Sequence, residues 1–322
     1  MGSILSACYA RVAFSPTCCS KSAVGAQLRD AESAFDNLSE EQLISFLEKY
    51  DFFNGQRVGL PRPLSPSPLW RITSDTVVKR LYAQTAQEPY IMALVASCTS
   101  IPVPKVRGYV SWQGSIWLFM EHVEGDDLES FWPSLSMLRR LSIAWTLRSY
   151  IRQLRAVALP DLNAPGPFDG SGKSIRCNGH CFTEIGAGPF ASYAEMSAWF
   201  ARKRWIAVEL EWRRVRRGAS SAPNKPHFDD SMPLVLVHGD ISLRNVRVGK
   251  DGVIWLLDWG FAGAYPPWFE YAGIVAYDIS PVRGVPRSWL WLALLVAGWY
   301  KPQQSFIHEI SIALANYRID GP

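Results

Sequence analysis

The sequence predicts an α+β chain in two lobes: a small N-terminal lobe built on β-strands with one helix, and a larger, mainly helical C-terminal lobe. Two observations lead there. Short apolar-rich runs cluster between Thr76 and Met120 around a single helical run, whereas long segments with apolar residues at helical spacing fill much of the second half. The 322 residues, 48% of them hydrophobic, are enough to bury a large core. The expected boundaries are a flexible N-terminal segment over 1–36, the N-terminal lobe with a preceding helix over 37–120, and the C-terminal lobe over 121–322.

The elements follow in order. Residues 1 to about 26 are small and polar without period. Ser39 to Tyr50 is predicted helical, opened by a capping box of Ser39 and Gln42. Alternation over Thr76–Leu81 puts Lys79 on one face with Val77 and Leu81, and Arg80 on the other. Glu88 to Ser97 has Ile91, Leu94 and Val95 at helical spacing, with Pro89 in the first turn, where a missing amide costs no hydrogen bond. Tyr109–Trp112 and Ile116–Met120 form a hairpin around Gln113 and Gly114. Ser136–Val157 is a long amphipathic helix with Leu138, Leu141, Trp145 and Leu154 on or near its apolar face. The Gly/Pro-rich stretch from Pro160 to Gly188 is an insertion that can border a pocket. A helix from about Tyr193 to Arg217 ends in Arg213, Arg214, Arg216 and Arg217, where cations suit the helix dipole. Trp289–Tyr300 is strongly apolar but shorter than the roughly 20 residues that span a membrane. It is expected as a buried helix, packed with a second over Ser305–Tyr317.

The chemistry concentrates in His238–Gly260, HGDISLRNVRVGKDGVIWLLDWG. The apolar run Val235–Val237 ends at His238, and Asn245–Val248 and Val253–Leu257 flank the turn residues Gly249, Lys250, Asp251 and Gly252. That hairpin brings Asn245, entering one arm, opposite Asp258, leaving the other. An amide oxygen and a carboxylate across one gap suit Mg²⁺, which prefers hard oxygen ligands and completes its shell with nucleotide phosphates. Asp240, in the loop just before, is placed to orient and deprotonate an attacking hydroxyl. Singly, each of these residues is also an ordinary turn former. His238 is expected to brace the loop rather than move protons. Arg244 either neutralises a transferred phosphoryl or faces solvent.

His-Gly-Asp, four residues, Asn, and then a strand-borne Asp-Trp resembles the aminoglycoside phosphotransferase and choline kinase branch of the protein-kinase-like fold. The resemblance implies an ATP- and Mg²⁺-dependent phosphotransferase acting on a small-molecule hydroxyl, with Asp240 as base and Asn245 and Asp258 as metal ligands. It also implies that Lys79 pairs with nucleotide phosphates and is held by Glu88 on the following helix. Thr99–Val106 looks like the segment entering the next hairpin in fungal-type members. Met120, Glu121, His122 and Val123 then fall at the hinge, whose backbone reads the adenine edge in that fold. Asp126 and Asp127 follow at the cleft rim, where they can attract a cationic acceptor or simply be solvated. Phe269-Glu270, after Pro266-Pro267, resembles the segment that follows the metal Asp, with Glu270 anchoring the loop. One departure stands out: Leu69–Asp75 carries no glycine-rich turn, and Gly59–Pro68 is proline-rich, which removes amides that would cradle phosphate. An inactive nucleotide-binding or scaffold protein of the same fold is therefore the alternative. A protein kinase is disfavoured by the short interval between Asp258-Trp259-Gly260 and Tyr265-Pro266-Pro267.

A net charge of +4 without a basic tail is too small for a nucleic-acid footprint. The six cysteines are irregularly spaced behind no secretory signal, which indicates a reducing, cytoplasmic setting. Cys177, His180 and Cys181 cluster, but a structural zinc site needs four ligands with paired spacing. Gly2 with Ser6 fits the myristoylation pattern and Cys8 could add a second chain, so membrane contact is expected only if Gly2 is acylated.

Overall fold

Helix α1 (Glu40–Lys49) starts with the expected capping box: Ser39 N–H donates to Gln42 Oε1 at 2.8 Å, and Gln42 N–H to Ser39 Oγ at 3.3 Å. The computed structural model describes residues 33–49, 69–82, 85–159, 164–215, 225–276 and 285–315, all within a unit spanning 31–322. Gly2, Cys8, Cys18, Cys19, the stretch 59–68, and Arg216 and Arg217 lie outside the described residues.

Leu43 and Leu47 of α1 pack with Phe35 on one face of a four-stranded antiparallel sheet. Its strands are β1 (Leu69–Arg71), β2 (Thr76–Leu81), β3 (Val106–Trp112) and β4 (Ser115–Glu121), in the order β1-β2-β4-β3. The period of two sorts the side chains. Val78, Phe119 and Trp117 face α1, whereas Leu81 and Leu118 face the other way, into a core shared with helix α2 (Glu88–Cys98). Lys79 pairs with Leu118 and so emerges on the α2 side.

Beyond Glu121 come the short β5 (Gly125–Asp127) and the single-turn α3 (Leu128–Phe131), then α4 (Met137–Ala156), capped by Ser136 Oγ accepting from Arg139 N–H. Helix α5 (Tyr193–Val215) follows, then β6 (Val235–Val237), β7 (Val246–Gly249), β8 (Ile254–Leu256) and β9 (Gly263–Tyr265). β7 and β8 form the expected hairpin and β5 adds to β7, while β6 pairs with β9. Helices α6 (Trp268–Val275), α7 (Arg287–Ala297), α8 (Lys301–Glu309) and α9 (Ser311–Ala315) close the described fold. A small antiparallel sheet lobe and a mainly helical remainder are thus what the chain builds.

Three expectations change, the first being that the helix expected as buried over Trp289–Tyr300 runs over Arg287–Ala297 and leaves Trp291 and Leu294 exposed. α4 buries Ile143, Leu147, Tyr150, Ile151 and Leu154, with Tyr150 donating its hydroxyl to Ile254 O at 2.9 Å, whereas Leu138, Leu141 and Trp145 are exposed. Two apolar stripes run along this helix, and periodicity cannot say which one the core takes. The helix expected over 305–317 begins earlier, at Lys301, and breaks at Ile310 between α8 and α9; residues 316 and 317 lie outside the described residues. Leu147→Ala should therefore cost about 2–5 kcal/mol in urea unfolding. Leu138→Ala should stay within about 0.5 kcal/mol of wild type.

Candidate active site

Lys79 Nζ donates to Glu88 Oε1 and Oε2 at 2.7 and 2.8 Å and to Asp258 Oδ1 at 2.8 Å. Each partner is delivered by a different element: Lys79 by β2, Glu88 by the first turn of α2, and Asp258 by the chain leaving β8. Burial works against the ammonium, but Asp258 and Glu88 together hold its pKa above the ordinary lysine value. Lys79 in turn lowers the Asp258 carboxyl. Glu88, 1% exposed, is pushed up by burial despite Lys79.

α2 also grips the segment after Asp258. Trp259 N–H donates to Glu88 Oε1 at 3.3 Å, and buried Gln87 donates from Nε2 to Gly260 O at 2.8 Å. Asp258 itself is left-handed, at φ 62°, a conformation that costs a non-glycine residue on the order of 1–3 kcal/mol and persists only where surroundings enforce it. Lys79 and the grip on residues 259 and 260 supply that enforcement.

Asp240 and Asn245 sit in the loop between β6 and β7. Asn245 Nδ2 donates to Asp240 O at 2.9 Å and to Asp240 Oδ2 at 2.8 Å, which orients the amide so that its oxygen points away from Asp240. Leu257 N–H donates to Asn245 O at 2.9 Å, so the hairpin closes beside Asp258 as its turn predicts. Arg244 is turned onto Asp240 Oδ2, at 3.1 Å, rather than into solvent. The other carboxylate oxygen, Oδ1, receives His180 Nε2 at 2.9 Å. That histidine comes from the 160–188 insertion and also packs edge-on against Phe261.

His238 and Glu270 hold this loop from below. His238 Nε2–H donates to Leu257 O at 3.1 Å, and its Nδ1 accepts from Asp240 N–H at 3.2 Å, the pattern of a neutral ring; burial keeps its pKa below the ordinary value. Glu270 accepts from His238 N–H at 2.8 Å and Gly239 N–H at 3.1 Å. Gly239 has φ 78°, and a Cβ there would meet Phe261 O at 2.9 Å, so no other residue fits the turn.

In the segment expected as a hinge, His122 N–H donates to Asp75 O at 2.8 Å, Glu121 N–H to Lys105 O at 2.9 Å, and Val123 O accepts from Arg247 NH1 at 3.0 Å. Met120 lies in β4 opposite Val77. Asp127 is engaged by Arg247 through Nε and NH2, at 3.0 and 2.7 Å. It is therefore an internal ion-pair partner more than a lure for cations. The turn at 72–75 stands at this hinge end of β2. Leu69 is registered with Lys79, and the chain before it lies outside the described residues.

Sequence reasoning missed His180 as a neighbour of Asp240 and Gln87 as a link to Gly260. His180 was visible only as part of a cysteine cluster. Cys177 and Cys181 are buried away from it in an apolar core, and burial pushes the Cys177 thiol up to about 12. Among the described residues no group of three or more His, Cys, Asp or Glu side chains is placed to hold a metal. Beside His180 lies a cavity of about 280 Å³, lined by Phe182, Glu184, Ala272, Gln304, Ile307 and Ser311 among others.

A family model, described as the phosphotransferase enzyme family, matches residues 70–299, a span from β1 to just past α7 that contains Lys79, Glu88, His180, Asp240, Asn245, Asp258 and Glu270. The chain belongs to that family. Solved structures share the fold. A gentamicin complex of the aminoglycoside phosphotransferase APH(2")-IIa superposes with a TM-score of 0.50 at 13% identity, over 88% of this chain and 89% of that one. ADP-bound APH(2'')-Ib superposes with a TM-score of 0.52 at 12% identity, over 88% and 93%. None of the curated proteins compared with the chain matches it.

Burial raises the Glu270 carboxyl to about 7 although two backbone N–H groups oppose the shift. A raised acid binds its proton more tightly in the folded state, so this contribution is complete below the unfolded value near 4.5 and is lost as pH rises through about 7. A shift of that size corresponds to about 3 kcal/mol. Melting curves from pH 5 to 8 should fall more steeply for wild type than for Glu270→Gln, which removes the titration.

Proposed function

We propose that the chain is an ATP- and Mg²⁺-dependent phosphotransferase acting on the hydroxyl of a small molecule. The observation that carries this reading is the ammonium of Lys79 held between Glu88 and Asp258, beside an Asp240 whose carboxylate is fixed by Asn245 and Arg244. The donor set fits the cofactor. Asp258 bonds Lys79 through Oδ1 and is half-exposed, so a carboxylate oxygen can reach a cation, and the Asn245 amide offers its oxygen to the same hairpin mouth. Lys79 supplies the positive charge for nucleotide phosphates, and the backbone around Met120, Glu121, His122 and Val123 meets the base. Bound Mg·ATP supplies a phosphoryl group whose charge the metal partly neutralises.

Asp240 is the base. Its Oδ2 is anchored twice, by Asn245 and Arg244, whereas Oδ1 meets His180, which itself lines the cavity. An acceptor hydroxyl that replaced His180 at Oδ1 would pass its proton there as its oxygen bonded the γ-phosphorus and the bond to the bridging oxygen broke, releasing ADP. The positioned carboxylate lowers the barrier by orienting the nucleophile as much as by accepting the proton. The acceptor class in structurally similar proteins, aminoglycosides, gives one set of compounds to screen, with choline, ethanolamine and sugars beside it.

Titration with ATP and Mg²⁺ should raise the melting temperature of wild type and not of Asp258→Ala. Asp240→Asn should keep that shift while losing about 10² to 10⁴ in turnover. Absence of any nucleotide-dependent shift in wild type would overturn the nucleotide reading. A shift without turnover on any acceptor would favour the inactive scaffold.

A further inference from the structure

Helices α4 and α7 lie side by side and run parallel. Arg140 NH1 reaches Ser288 Oγ at 3.4 Å, Arg148 NH1 donates to Leu295 O at 2.7 Å, and Arg155 NH2 to Ala297 O at 2.8 Å. That register sets Trp145 level with Trp291. At 3.6 residues per turn, Trp145 is rotated about 60° from Arg148 in one sense and Trp291 about 40° from Leu295 in the other. In a parallel pair those opposite rotations bring both rings to the same solvent side.

Each ring heads a stripe. On α4, Leu138, Leu141 and Trp145 stand at i, i+3 and i+7, and on α7, Arg287, Trp291 and Leu294 stand at i, i+4 and i+7. Leu138 is 80% exposed, Trp145 65% and Trp291 69%. Single exposed apolar residues are ordinary, but a continuous face with two indoles and three leucines marks an interaction site. The α4 sequence needed none of them for its core, which the opposite stripe already fills.

Charge identifies the occupant. Neither helix contains an aspartate or glutamate, and Arg152 and Arg287 are exposed at the two ends of the face. A second copy placed against it would bring arginines to arginines, a repulsive pairing. Amphipathic faces that lie on bilayers combine tryptophan and leucine with arginine in this way, the rings settling at the headgroup level and the cations meeting anionic lipid. We propose that the α4–α7 face docks on an anionic membrane surface, with Trp145 and Trp291 entering the headgroup layer and Arg152 and Arg287 meeting lipid phosphates. The contact depends neither on acylation of Gly2 nor on phosphoryl transfer. No helix among the described residues is long and apolar enough to cross a membrane, so the docking is peripheral.

The test is sedimentation of the full chain carrying Gly2→Ala with vesicles of phosphatidylcholine alone or mixed with phosphatidylglycerol. Binding is expected to the mixed vesicles and should weaken with salt. It should fall at least ~10-fold in Trp145→Ser/Trp291→Ser. It should be retained in Trp205→Ser, which removes an equally exposed ring from α5. Arg152→Glu/Arg287→Glu should abolish it without touching the rings, so the proposal stays testable even if the tryptophan pair lowers the melting temperature. No sedimentation with mixed vesicles, or equal sedimentation of wild type and both double variants, would overturn it. So would a concentration-dependent dimer lost in the tryptophan pair, which would assign the face to a second copy.

Discussion

A lysine ammonium held by two carboxylates, one from the helix of the small lobe and one from a hairpin end in the large lobe, fixes the geometry of the candidate site. Lys79 meets Glu88 and Asp258 within 2.8 Å. Burying the Lys79–Glu88 pair is expensive, and removing one partner of such a pair leaves the other uncompensated, typically at a cost of about 3–5 kcal/mol, whereas Asp258 is half-exposed. The arrangement also explains why Asp258 can sit at φ 62° and why Glu88 and Gln87 reach across to residues 259 and 260. Strain at Asp258 and the seating of α2 are two consequences of one ion cluster.

The loop bearing Asp240 obeys a second constraint, satisfaction of buried backbone polar groups. His238, 0% exposed, uses both ring nitrogens on the main chain, and Glu270 takes the N–H groups of residues 238 and 239. Beneath them an aromatic core with Phe200, Phe228, Phe269 and Phe306 in edge and stacked contacts resists movement. A neutral histidine and a carboxyl whose pKa burial raises to about 7 make up this support. Arg244, Asn245 and His180 reach the Asp240 carboxylate from the loop and the insertion.

Much of this site was legible because it is local in sequence. The hairpin from Asn245 to Asp258 closes on itself through a four-residue turn, so its two ends must meet whatever the rest of the chain does. Alternation likewise decided that Lys79 faces away from Arg80, and the pairing of Ser39 with Gln42 is a contact three residues long. His180 was hidden for the opposite reason. Sixty residues separate it from Asp240, and nothing in Arg176–Cys181 says which way a Gly-rich loop will fold. The exposed stripe of α4 was misjudged because that helix carries two apolar faces of similar quality, and only its neighbours choose between them.

The sequence by itself thus determined the α+β class, the strand that carries Lys79, the helix that carries Glu88, and the hairpin and loop around Asp240, Asn245 and Asp258, because short-range periodicity and turn geometry are set within a few residues. Tertiary structure alone decided that Lys79 reaches Asp258 as well as Glu88, that His180 meets Asp240, that Asp127 is engaged by Arg247, and that Trp145 and Trp291 are both exposed. Those outcomes depend on how elements far apart in the chain pack, and the burial that drives packing is non-directional, so it leaves no period or motif to read.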